Sequence, residues 1–126
     1  MRNLKLKYSS IIPFEGYYAI NVFGTLIRRN QYKGTYLPKS TMNHEGIHTA
    51  QAEDFCKGFI GFICFYIWYF IEWLLKLIPC LFTKKSAYRS ISFEQEALLN
   101  DLDFEYQDKR KKFAWMKYVF KLNKND

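Results

Sequence analysis

Histidine is almost absent from this 126-residue chain, which has only two. Cysteine is also scarce. Cys56, Cys64 and Cys80 are odd in number and form no C-x-x-C pair, which argues against a disulfide framework; they read as reduced, buried thiols in a reducing compartment. Only three prolines occur, with no low-complexity linker and no internal repeat, so a single domain over residues 1–126 is expected. The charged start, Met1-Arg2-Asn3-Leu4-Lys5-Leu6-Lys7, has no apolar run behind it, so no cleavable secretory signal is expected. The longest uncharged apolar stretch, residues 58–71, is too short to cross a bilayer.

Apolar residues make up 49% of the chain and aromatics 20%, a composition suited to a large apolar interior or an apolar surface, and far from disorder. The net charge of +7 favours anionic partners. No nucleic-acid module accompanies it, so nucleic acid is not an expected partner.

Both histidines fall in His44-Glu45-Gly46-Ile47-His48, an H-E-x-x-H motif. On a helix, four residues is slightly more than one turn, so both imidazoles project from one face and can grip one metal ion. Glu45, beside the first ligand, is then placed to act as general base on a water at the metal. Catalytic zinc takes three protein ligands and keeps one position open. With no third histidine, the remaining ligand is expected to be a carboxylate. Glu53 and Asp54 lie on the same helix, a turn or more past His48. Glu72 sits in an apolar run with Lys76 as an i, i+4 partner. Glu94 and Glu96 lie on a later helix and, two apart, point to different faces.

Phe93-Glu94-Gln95-Glu96-Ala97 resembles the F-E-x-x-A segment that follows H-E-x-x-H in gluzincins. The likeness is closest to the CAAX-prenyl and heat-shock zinc endopeptidases, and the length is similar to that of the small minigluzincins. This resemblance implies that Glu94 is the third zinc ligand and that Ala97 lets its helix lie close to the metal helix. In the larger endopeptidases an aspartate that orients a ligand histidine follows the alanine. Here Leu98 stands in its place, with Asn100 and Asp101 just beyond as polar substitutes.

Residues 17–22 and 25–28 are rich in β-branched and aromatic side chains, with Phe23-Gly24 as a turn, and predict a small antiparallel element. A helix is expected from a cap at Ser40 or Thr41 to about Lys57, with Gly58 as its stop. Gly46 is unfavourable inside a helix by roughly 1 kcal/mol, so a close neighbour is expected there. The apolar run over residues 58–82 is expected to end at Pro79. Ser92 is expected to cap the next helix, the basic block at 109–112 to be a solvated face, and residues 113–122 to form a final amphipathic helix.

If the histidines and Glu94 share one ion, the run between them cannot be a single span. Such a helix, about 30 Å long, would carry its ends to opposite sides of the bilayer. It is expected instead to be a helix buried against the metal helix, with an aromatic edge resting on an anionic membrane surface; the alternative is that Tyr66, Trp68, Tyr69 and Trp73 form core.

The fold class expected is α+β, with a small N-terminal antiparallel β element packed on a mainly helical, zincin-like core. The expected function is zinc-dependent peptide-bond hydrolysis, with His44, His48 and Glu94 on Zn2+ and Glu45 as base. A peptide or protein is the expected substrate, and Tyr88 or Arg89 is the candidate transition-state donor. The alternative is a non-catalytic zinc-binding or peripheral membrane protein on the same scaffold. The location expected is the cytoplasm, free or at the inner face of a membrane.

Overall fold

The computed structural model describes residues 4–11 and 19–123. Tyr17 and Tyr18, assigned above to the first strand, lie outside them. Three strands, β1 (Lys5–Ser9), β2 (Ile20–Val22) and β3 (Thr25–Arg29), form a sheet in the order β1-β3-β2. β2 and β3 pair antiparallel, Ile20 opposite Ile27, around the Phe23-Gly24 turn. β1 pairs parallel to β3, Lys5 opposite Thr25, so the sheet is mixed. The polar alternation of Lys5-Leu6-Lys7 hid this edge strand: three of its five residues are exposed and the other two half-buried, so no apolar run marks it.

Five helices follow: α1 (Lys39–Phe55), α2 (Phe59–Thr83), α3 (Ala87–Ser90), α4 (Ser92–Asn100) and α5 (Tyr106–Lys109). With the sheet, they make an α+β fold. Neither Ser40 nor Thr41 caps α1. The chain enters it through extended Pro38, whose carbonyl accepts the N–H groups of Thr41 and Met42 at 3.1 and 3.3 Å. Proline suits this place because its fixed φ feeds a helix and the N–H it lacks would find no partner within the helix there. α1 stops at Phe55, two residues earlier than expected, because Cys56 is extended (φ −170°). Gly58, at φ +84°, then reverses the chain into α2.

α2 does not end at Pro79. It runs on to Thr83, because buried Cys80 anchors the last turn beside Ser90 and Lys84 closes it in the left-handed region (φ +57°). Ser92 is the first residue of α4 and not its cap. Its N–H and hydroxyl both donate to Glu72, so α2 supplies the capping carboxylate. Residues 113–122 form no amphipathic helix. Phe113 is left-handed (φ +60°), and only a 3-10 turn, Ala114–Tyr118, follows. That break lets Trp115 insert into the core, where it is 1% exposed.

The core joins Ala52 of α1, Phe62 and Phe65 of α2, Ile91 and Phe93 around the start of α4, and Trp115. Phe93 is gripped from two sides, with ring centroids 4.4 Å from Phe65 and 4.7 Å from Trp115. Such pairs add about 1 kcal/mol each beyond burial and fix where α4 begins. Ala97, fully buried one turn on, allows α4 to lie close. The cysteines are not uniformly buried: Cys80 is, Cys64 is half-buried and Cys56 is exposed.

Candidate metal centre

His44 and His48 project from the same face of α1, and Phe93 at the start of α4 turns Glu94 toward them. The ligand atoms of these three residues all lie within 4.8 Å of one another. Nε2 of His44 is 3.1 Å from Glu94 Oε1, Nε2 of His48 is 3.0 Å from Glu94 Oε2, and the two Nε2 atoms are 3.2 Å apart. Two ligand atoms on a tetrahedral ion with 2.0–2.1 Å bonds are about 3.3 Å apart. The separations therefore suit one small ion, and this group could hold a metal.

The opposite ring nitrogens are fixed by hydrogen bonds. His44 Nδ1 donates to Asp101 Oδ2 at 3.1 Å. His48 Nδ1 lies 2.8 Å from Gln51 Oε1. The amide of Gln51 can face only one way, because its Nε2 donates to Phe93 O and Glu96 Oε1, both at 2.9 Å. The oxygen must then face His48, whose Nδ1 carries the hydrogen. In each ring Nε2 is left as the nitrogen free for a cation, as in metal sites where a ligand histidine donates its other N–H. Asp101, not Asn100, thus takes the place left by Leu98, since the Asn100 amide turns back to the Glu96 carbonyl at 2.8 Å.

Asn43, immediately before the motif, holds that arrangement. Its buried amide donates to the carbonyls of Asp101 at 2.8 Å and Asp103 at 3.1 Å, pinning the end of α4 beside His44. Gln107 closes the ring with a 2.7 Å bond to Asn43 Oδ1. The same Gln107 explains Gly46: a Cβ there would meet its Nε2 at 2.7 Å. The sheet is tied to α1 by Asn21, whose Nδ2 reaches the Glu45 carbonyl and Thr49 Oγ1, both at 2.9 Å.

Electrostatics follow from burial and charge. Burial opposes ionisation of Glu94, but His48 and His44 outweigh it and hold the carboxyl well below the usual range. Burial likewise disfavours charge on His44, yet Asp101 and Glu94 raise its pKa to about 10. Burial pushes Glu45 up, against the pull of His48 and His44. Glu45 lines an open cleft of about 420 Å³ together with His44, Asp101 and the first turn of α1. The Tyr69 hydroxyl donates to Glu94 Oε2 at 2.9 Å, and burial and Glu94 raise the pKa of both Tyr69 and Tyr88.

No family model, curated protein or solved structure matches this chain.

The other candidate acids are held elsewhere. Glu72 accepts from Lys76 Nζ at 2.7 Å, Trp68 Nε1 at 3.0 Å, and Ser92. Glu96 accepts from Arg110 Nε and Tyr106, both at 2.6 Å. Asp54 binds Arg110 as well, at 2.6 and 3.1 Å. Arg110 is therefore buried between two acids, and the basic block at 109–112 is not wholly a solvated face. The signal for it lay in Asp54 and Glu96, two acids on inward helix faces that need a cation. Gln51, one turn past His48, was the readable sign of a side chain that holds the His48 ring from behind.

Proposed function

We propose that this chain is a zinc metallopeptidase of the gluzincin type. The observation that carries the reading is the convergence of His44, His48 and Glu94 beside a cleft lined by Glu45. Two imidazoles and one glutamate are a donor set used by catalytic zinc, and three ligands leave a fourth position open. Bound there, zinc supplies Lewis acidity that acidifies a water and polarises a peptide carbonyl. Glu45 takes the proton of the attacking water and passes it to the leaving amine. Its raised pKa moves it toward the range a general base needs at neutral pH. Asp101 and Gln51 keep the imidazoles in register, and Tyr69 does the same for Glu94. Tyr88, whose phenol stays protonated, is the candidate donor to the carbonyl oxygen in the transition state. The substrate is a peptide or protein.

The test is cleavage of a broad peptide library, read by mass spectrometry, by the zinc-loaded protein and by Glu45→Gln. The variant should keep its zinc and lose roughly 10²–10⁴-fold in rate. A zinc-loaded wild type that cleaves nothing would leave a non-catalytic zinc protein. Equal cleavage by both would remove Glu45 from the mechanism.

A further inference from the structure

α2 is built inside out. Its only charged side chains, Glu72 and Lys76, point inward, are 4% and 6% exposed, and bind each other at 2.7 Å. The outward side carries eleven large apolar side chains that are exposed, among them Ile67 at 55%, Leu75 at 72% and Phe82 at 85%. At about 100° per residue these occupy an arc of roughly 160°, and the buried Phe65, Glu72, Lys76 and Cys80 lie on the opposite side. Every side chain in that arc is hydrocarbon except Cys64. Polar groups at its shoulders turn inward: the Tyr66 hydroxyl meets Asn21 O and Phe23 N, and the Trp68 indole donates to Glu72. The stripe continues past the start of the helix. Phe23, 43% exposed, is held at φ +50° in the hairpin turn and stacks on Phe59 at 4.8 Å. Left-handed backbone is unfavourable for a phenylalanine, and here it extends the apolar surface.

We infer that this face of α2 seats in the hydrocarbon edge of an anionic lipid bilayer, with the helix lying in the membrane plane. Charge selects this occupant. Exposed Lys57 and Lys84 mark the two ends of the helix, and the only acid among residues 55–93 is the buried Glu72. Lysines around an apolar stripe suit acidic headgroups. A second copy of the chain fits less well, because a helix–helix seam covers a narrow strip. A protein interface carries about one hydrogen bond per 100–200 Å², and this arc offers only the weak, half-buried thiol of Cys64 for one. Spanning is excluded by the partner helix: α1 packs along α2, and a span would draw His44, Glu45 and Asp54 into the bilayer with it. The inference is independent of catalysis, and metal-free protein should behave as the loaded form does.

The test is sedimentation of the protein with vesicles of phosphatidylcholine plus phosphatidylglycerol, and with phosphatidylcholine alone. Wild type should bind both, and the anionic vesicles more tightly. Ile67→Glu with Leu75→Glu changes only exposed positions and should lower binding by about tenfold or more. Lys57→Glu with Lys84→Glu should remove the preference for anionic vesicles by about tenfold and leave the remainder. Near-ultraviolet circular dichroism verifies that each protein is folded. Folded wild type that stays in solution with both vesicles overturns the inference, as does a double-glutamate variant that binds like wild type. Wild type that is a dimer by light scattering, binds no lipid and is made monomeric by the glutamates would assign the face to a second copy.

Discussion

Replacing Gln51 by leucine tests whether the metal site depends on the shell behind it. Gln51 is fully buried, so no water can substitute for its amide. The change removes three hydrogen bonds, to His48 Nδ1, Phe93 O and Glu96 Oε1. Two of the groups left behind keep other partners: Glu96 Oε1 retains Arg110 at 3.1 Å, and the Phe93 carbonyl lies within α4. The His48 Nδ1–H is the one left without an acceptor. A buried donor without a partner costs about 1–3 kcal/mol, which sets the expected loss of stability in urea unfolding. Freed from Gln51, the imidazole loses its fixed tautomer and orientation, so zinc affinity should fall about 10–100-fold in competition with a chromophoric chelator. Gln51→Glu separates the two effects. It keeps an acceptor for His48 but sets a carboxylate against Glu96, so stability should fall while the folded fraction binds zinc as before. An affinity for Gln51→Leu within about threefold of wild type would refute the reasoning, because loss of the partner that orients a ligand histidine is expected to cost at least about tenfold.

Zinc uptake should release protons. In the metal-free protein burial lowers the His44 pKa, but Asp101 and Glu94 lift it to about 10, above the 6.5 of the unfolded chain. That protonated His44 therefore stabilises the metal-free fold fully below about pH 6.5 and ceases to as pH rises through about 10. Metal needs the neutral ring, so calorimetry at pH 7 in buffers of different ionisation enthalpy should show at least one proton released, with affinity rising about tenfold per pH unit for each; no release would contradict the assignment. Arg110→Met should cost about 3–5 kcal/mol in urea unfolding, since it strands Asp54 and Glu96 as buried carboxylates, and a cost below 1 kcal/mol would show that pairing unimportant. Gly61→Ala should destabilise by about 3 kcal/mol, because its Cβ would lie 1.7 Å from the Cys56 carbonyl oxygen where α1 and α2 meet; a neutral outcome would place that junction wrongly.

Much of the site was legible because its chemistry is local. H-E-x-x-H has meaning only on a helix, and the mixture of alanine, glutamine and methionine around it supports one. The glycine inside it called for a close neighbour, and Gln107 is that neighbour. A third ligand from another helix is not local, and the residues alone left Glu72, Glu94 and Glu96 open. Three-dimensional placement separates them: Glu94 joins the histidines, Glu72 caps α4, and Glu96 pairs with Arg110. Helix ends were read less well, because caps were expected from the local hydroxyls of Ser40, Thr41 and Ser92, where the Pro38 backbone and the distant Glu72 carboxylate act instead. The C-terminal segment was misread because its apolar spacing fits a helix, whereas burying Trp115 against Asp54, with its indole N–H donating at 3.1 Å, requires a break at Phe113. β1 was missed because an edge strand needs little apolar surface.

Metal content of the purified protein tests the central claim most directly, with Glu94→Ala and Glu72→Ala measured beside wild type. Wild type and folded Glu72→Ala should each carry about one zinc per chain, and Glu94→Ala should carry under about a tenth of that at equal free zinc. A folded wild type free of metal, or a Glu94→Ala that retains its zinc while Glu72→Ala loses it, would contradict a centre built from His44, His48 and Glu94.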